Sequence, residues 1–285
     1  AVDQNVNAGP DCFTCVRKDF EGCDSRQPEQ LLPLLFFHSC SLHRLSDFYA
    51  HWPREYTAAG KGLLNGWNLM IERLVSGIAT LAIFFWSIAY NDSNGNIPWW
   101  MLYLTHWILL LTVVHWPLWC AATYLALKVP ESERGNATET TPWLARIAMW
   151  THSTGLSVNC IVTLMYWLLL FPDEDEFKPL SVFTHGITFV LMLLDAALAG
   201  QRLFLVHLPF PFAFGVSWVL FSLIYWAAGG VSADGEPIYS VVDWEGEPGS
   251  AVVLCVLVAF VVLPLIVCAC AGLSRLWSNQ CRCSS

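Results

Sequence analysis

Apolar residues gather into six long runs separated by short polar segments: residues 74–90, 99–127, 142–171, 180–200, 208–228 and 251–273. Crossing the hydrocarbon layer takes roughly 20 mostly apolar residues, a length that each run reaches or approaches. Backbone groups in lipid must be satisfied within the segment, so the runs are predicted to be helices. They are too long, and alternate too little, for membrane strands. The first run is short but ends on Trp86 and Tyr90, which suit a membrane interface. The two longest must tilt or project beyond the bilayer. A further apolar run, 31–37, is too short to span and is expected to lie at the interface or beneath the bundle. The predicted fold class is an all-α membrane protein with six transmembrane helices.

Charge sets the expected orientation. With the N-terminus in the cytosol, every Lys and Arg except Lys178 falls on the inner side. Lys178 lies outside, beside Asp173, Glu174, Asp175 and Glu176. The reverse orientation would defy the positive-inside bias, so both termini are expected to be cytosolic. Two glycosylation-type triplets bear on this. Asn91-Asp92-Ser93 falls outside, in a tight loop near the bilayer, and Asn136-Ala137-Thr138 falls inside and should stay unmodified. Residues 1–30 carry no apolar core of the kind a secretory signal needs, so none is expected ahead of the first span. Three parts follow: a cytosolic segment over 1–70, a six-helix domain over 71–273 and a cytosolic tail over 274–285. No internal repeat is evident.

Composition narrows the class further. Only 13% of the 285 residues are charged and 55% are apolar, against about a quarter charged in soluble domains. The net charge of -9 excludes a nucleic-acid partner, which would require a basic face. The 11 Cys include several in or beside apolar runs, which excludes a small disulfide scaffold. Cys12 and Cys15 with Cys23, His38, Cys40 and His43 offer candidate zinc ligands, but only one pair has metal-like spacing. Reduced cytosolic thiols, with no metal and no cofactor, are the expected state. Cys281 and Cys283, just past the last run, are candidates for palmitoylation, and Cys268 and Cys270 suit packing as small apolar residues.

Polar residues inside apolar runs are costly and become the candidates for function. The fourth run carries His185, Thr188 and Asp195, which fall within an arc of roughly 80° on a helix. Thr105, Thr112 and His115 share a face of the second, and His152, Asn159 and Thr163 line one stripe of the third. Thr105 lies six residues after Trp99 and His185 five after Leu180, which puts both roughly 8 to 9 Å below the outer interface. A hydroxyl beside an imidazole can perform acyl transfer, the imidazole removing the proton as the oxygen attacks a carbonyl. Two other readings stand beside it. Membrane Thr residues often bond their own i−4 carbonyl, and buried His bridges helices. His106, His115, His152 and His185 could also hold a haem, although their depths form no clear axial pairs.

These segments carry a resemblance that runs from about Ser46 to the end of the last span. Its pieces are Ser46-Asp-Phe-Tyr with Trp52-Pro53, the stretch Trp100-Met-Leu-Tyr-Leu-Thr-His-Trp107, and Thr184-His-Gly-Ile-Thr followed by Leu-Leu-Asp195. The outer loop Ile238-Tyr-Ser-Val-Val-Asp-Trp244 is similar to a family signature in which Pro commonly follows the Tyr; here Ser240 stands there. The chain resembles the rolling stone family, which is grouped with the androgen-induced membrane hydrolases of fatty acid esters of hydroxy fatty acids. The resemblance implies Thr105 as nucleophile, His185 as its base and Asp195 as the accompanying carboxylate. It implies hydrolysis, from the outer leaflet and without metal, of a long-chain lipid ester lying in the bilayer. In this reading Asp195 and His152 form the polar surround of the pair, with Thr188 or Asn159 as candidate donors to the oxyanion. Water enters past Trp99, Trp100 and the 239–244 loop.

The competing expectation is a non-enzymatic protein of cell–cell contact or of the myoblast fusion associated with rolling stone. It would present Asp234, Glu236, Asp243, Glu245 and Glu247 to a protein partner. A transporter is a third option, weakened by the absence of broken helices or paired intramembrane charges from the sequence pattern. Expected partners are membrane lipids and the ester itself, in the plasma membrane or endoplasmic reticulum.

Overall fold

The computed structural model describes residues 64, 66–129, 143–171, 178–199, 201, 203 and 205–280. Six helices are long and apolar enough to span a membrane: α1 (Gly66–Ser93), α2 (Leu104–Lys128), α3 (Trp143–Leu170), α4 (Pro179–Leu198), α5 (Leu205–Ala227) and α6 (Pro248–Leu273, continuing to Gln280). No strand occurs among the described residues, where one isolated bridge joins Tyr239 and Val242. The predicted architecture holds: this is a multipass helical membrane protein. The Cys12–His43 group, the 31–37 run, Asn136, Asp173–Glu176, Cys281 and Cys283 lie outside the described residues.

One boundary differs from expectation in a way that matters. The first helix begins at Gly66, not near residue 74, so Glu72 and Arg73 are helical and Arg73 is fully buried. Trp67, Leu69 and Ile71 precede these charges, and helical periodicity carries through them. The hydropathy dip at Glu72-Arg73 marks a buried polar position rather than the helix end.

α3 is the hub, packing on α2, α4, α5 and α6. In its most apolar stretch 56% of residues are buried, against 17% for α5 and α6, which therefore lie at the lipid-facing edge. Small residues bring α2 and α3 together: Ala122 and Ala126 of one and Ala145 and Ala148 of the other are fully buried in a core with Trp116, Trp119 and Met192. Membrane helices associate through such close backbone approach, because lipid gives no hydrophobic drive between them. Outward faces carry Val75, Ile78, Phe85, Ile224, Val253 and Phe260, all exposed, as a lipid-facing surface requires.

The connections α1–α2, α3–α4 and α5–α6 share one end of the bundle, the loop end. There a 3₁₀ turn, Ile97–Leu102, leads into α2. The segment between α5 and α6 is tied down rather than splayed. Asp243 Oδ1 accepts the N–H groups of Glu245 and Gly246, and Trp244 is buried with its Nε1–H on Ser222 Oγ at 3.3 Å. Gly235 turns this segment at φ +80°, where an L side chain would be strained.

Three helices contain a wider, π-type turn: Tyr166–Leu170 in α3, Phe183–Ile187 in α4 and Val258–Val262 in α6. Such bulges are rare and often mark functional sites. All three contribute to one cavity.

Candidate active site

Thr105 is the second residue of α2 and is buried. A Thr deeper in a helix can give its proton to the carbonyl four residues back, as Thr112, Thr123 and Thr188 do here. For Thr105 that carbonyl belongs to Met101, before the helix, and it is occupied by the indole N–H of Trp107 at 2.7 Å. The Thr105 hydroxyl is left to face another helix, where its Oγ1 lies 3.5 Å from Nδ1 of His185. That distance is long for a hydrogen bond but ordinary for a hydroxyl–imidazole pair without substrate.

His185 sits in the π-type turn of α4 and stacks flat on Tyr166, which occupies the π-type turn of α3, with ring centroids 3.7 Å apart and planes 2° off parallel. The stacking fixes the imidazole plane. The start of α2 is fixed as well. Trp218 Nε1–H donates to Leu102 O at 3.0 Å, and the Leu104 N–H donates to the Tyr239 hydroxyl at 3.0 Å. Tyr239 Oη also lies within hydrogen-bonding reach of Thr105. Burial pushes the Tyr239 phenol up to about 12, against the lowering effect of these hydrogen bonds, so it is protonated at neutral pH.

Thr105, His185, Tyr166 and Tyr239 form the polar end of a cavity of about 260 Å³. The rest of its wall is apolar and comes mainly from α3, α5 and α6, including Ile161, Met165, Phe212, Gly215, Val258 and Phe260. An apolar wall with a few polar groups gathered together is the general make-up of a small-molecule pocket.

The other residues singled out from sequence are buried but lie elsewhere. Asn159 donates to Thr112 Oγ1 at 3.1 Å and to Gly155 O at 2.8 Å, and it accepts from Thr188 at 3.2 Å. This triad bolts α2, α3 and α4 together and consumes the groups expected to serve an oxyanion. Thr188 also donates to Thr184 O at 3.1 Å, so both side chains are engaged within this triad rather than with the pair. Asp195 does not surround the pair either. It accepts from Arg73 Nε at 2.6 Å and from Trp119 Nε1 at 2.7 Å, ten residues and roughly 15 Å along α4 from His185. Arg73 also donates to Thr123 and covers the Trp119 ring, whose other contacts include His152 stacked at 4.9 Å. His152 and His115 lie in this second cluster, His115 paired with Thr151 at 3.0 Å. His106 is engaged differently again, stacked on Trp100 with Nδ1 on the Trp100 carbonyl.

Sequence reasoning missed three parts of this picture. Arg73 falls among the inner-side basic residues by sequence, yet it forms a buried ion pair with Asp195, an intramembrane charge pair that the sequence pattern does not show. The apolar residues before Glu72 were the available signal. Tyr166 and the Tyr239 hydroxyl carry no pattern of their own, since their roles depend on a π-type turn and a folded loop. Among the described residues, no three His, Cys, Asp or Glu side chains converge as a metal site would need.

The fold and this site define a class: a six-helix membrane protein with a hydroxyl–imidazole pair at the head of an apolar cavity. Within that class, the family model for protein rolling stone matches residues 63–281, and the chain belongs to the rolling stone family. It is similar to protein rolling stone of Drosophila melanogaster, with 24% identity over 187 residues, 62% of this chain and 66% of that protein. No solved structure matches the chain.

Proposed function

We propose that this chain is a membrane-embedded hydrolase of long-chain lipid esters, with Thr105 as nucleophile and His185 as base. The observation that carries the reading is the Thr105–His185 contact at the polar head of an apolar cavity. The cavity takes an acyl chain from the bilayer and delivers its carbonyl to the hydroxyl. His185 Nδ1 accepts the Thr105 proton as Oγ1 attacks, then returns it to the departing alcohol. Water attacks the resulting acyl-threonine by the same route, releasing the acid. The relation to the androgen-induced hydrolases, and to esters of hydroxy fatty acids as substrates, belongs to this proposal. So do cytosolic termini, which put the loop end on the exoplasmic side, and acylation of Cys281 and Cys283.

The test is hydrolysis of a panel of long-chain lipid esters by the purified full-length chain. Thr105→Ala is expected to abolish turnover while the melting temperature in detergent stays unchanged, and a fluorophosphonate probe is expected to modify Thr105. Equal turnover by Thr105→Ala and the parent chain would end the assignment. A second reading draws on the loop between α5 and α6, where Asp234, Glu236, Glu245 and Glu247 are exposed. That acidic surface suits contact with a basic protein partner, and binding without any ester turnover would favour it.

A further inference from the structure

A threonine–histidine pair alone does not complete acyl transfer, because the negative charge that develops on the carbonyl oxygen also requires a donor. The two side chains that sequence suggests for this are engaged otherwise: Thr188 donates to Asn159 Oδ1, and Asn159 Nδ2 donates to Thr112 Oγ1. Tyr166 lies flat against His185, a placement that orients the base. Tyr239 is different on three counts. Its side chain lines the same cavity as Thr105 and His185. Its oxygen accepts the Leu104 N–H at 3.0 Å, which pins the hydroxyl over the first turn of α2 beside Thr105, and a phenol that accepts one hydrogen bond can still donate its own. Its ring is held by edge contact with Tyr103 (centroids 5.7 Å apart) and by Trp218 (5.5 Å), so the position is fixed before substrate arrives.

We propose that the Tyr239 hydroxyl is the oxyanion donor of the site, a catalytic residue supplied by the loop between α5 and α6. This rests on the ester-hydrolase reading of the same cavity. As Thr105 Oγ1 bonds to the ester carbonyl carbon, its proton passes to His185 Nδ1. The carbonyl π pair moves onto oxygen, where the Tyr239 O–H bonds it. When that pair re-forms the C=O, the ester C–O bond breaks and the leaving oxygen takes the proton from His185. The acyl group remains on Thr105 until water, deprotonated by His185, repeats the cycle and frees the carboxylic acid. Tyr239 neither gains nor loses its proton overall.

The decisive comparison is Tyr239→Phe in the full-length chain, assayed on the oleoyl ester of 4-methylumbelliferone. Removing one such donor costs about 10²- to 10³-fold in kcat, so a loss of that size is expected with KM changed less than about threefold. A long-chain trifluoromethyl ketone, whose Thr105 adduct carries the oxyanion, should bind about 100-fold more weakly to Tyr239→Phe, while an uncleavable ether analogue binds equally well. Should the Phe variant fail to fold, fluorinated tyrosine at position 239 keeps the hydroxyl and changes its acidity. A kcat that tracks phenol acidity supports the assignment, and a flat response overturns it. Full activity in Tyr239→Phe beside an inactive Thr105→Ala overturns the role of Tyr239 and leaves the hydrolase reading standing. No ester turnover by the parent chain overturns both.

Discussion

The buried pair Arg73–Asp195 offers a sharp test of how this bundle is held and where its chemistry ends. Both side chains are fully buried, 2.6 Å apart, and Asp195 also takes the Trp119 N–H at 2.7 Å. Asp195→Ala strands a guanidinium in the interior, for which removal of one partner of a buried pair costs about 3–5 kcal/mol. The orphaned indole N–H adds to this, but not independently, since all these groups share one network. About 4 kcal/mol is expected, or roughly a thousandfold in the folding equilibrium. Arg73→Met combined with Asp195→Leu removes both charges and their desolvation cost, so it should be far milder than either single change, with a coupling energy above about 2 kcal/mol. Glu72 lies beside this pair, so the cycle is run in a Glu72→Gln background to stop it replacing Asp195. The assay is reversible unfolding in mixed dodecyl maltoside and SDS micelles, followed by tryptophan fluorescence, with ester hydrolysis per folded molecule as the companion readout. Hydrolysis should stay within about threefold of the parent chain, because Asp195 is roughly 15 Å along α4 from His185. A destabilisation below about 1 kcal/mol would refute the claim that this pair fastens α1, α2 and α4. A hundredfold loss of hydrolysis at unchanged folding would refute the separation of the two clusters.

Two more outcomes follow from the cavity and from the charge pattern. An added Cβ at Gly215, which lines the cavity, meets no atom within 4 Å, so Gly215→Leu should fold and place its side chain where an acyl chain would lie. Each methylene denied the cavity is worth about 0.8 kcal/mol, or roughly fourfold in kcat/KM, so long-chain esters should lose most and short ones least. An unchanged chain-length profile would remove the cavity from substrate binding. With cytosolic termini, Asp234→Cys in a chain otherwise lacking Cys should react with an impermeant maleimide on intact cells expressing it at the surface, and Asn136 should carry no glycan. The opposite pair of results would invert the bundle.

The amino-acid sequence by itself determined the number of helices, their approximate extents and the residues that would be polar inside them. Hydropathy is a local property, and a backbone in lipid has one economical solution to its hydrogen bonding, so periodicity and length were enough. Rise per residue even matched the depths of Thr105 and His185, because both helices start at the same end. The limit appeared at Arg73, where a local dip in hydropathy looked like a boundary although helix and burial continued through it. Only the tertiary structure divided the polar residues into a Thr105–His185 head, an Asn159-centred triad and an Arg73–Asp195 cluster. That sorting depends on which faces of α1 to α4 meet, and helical spacing fixes a face without fixing its neighbour. The same holds for Tyr166 and Tyr239: a π-type turn and a tethered loop deliver them to the site, and neither is encoded in the residues' own spacing.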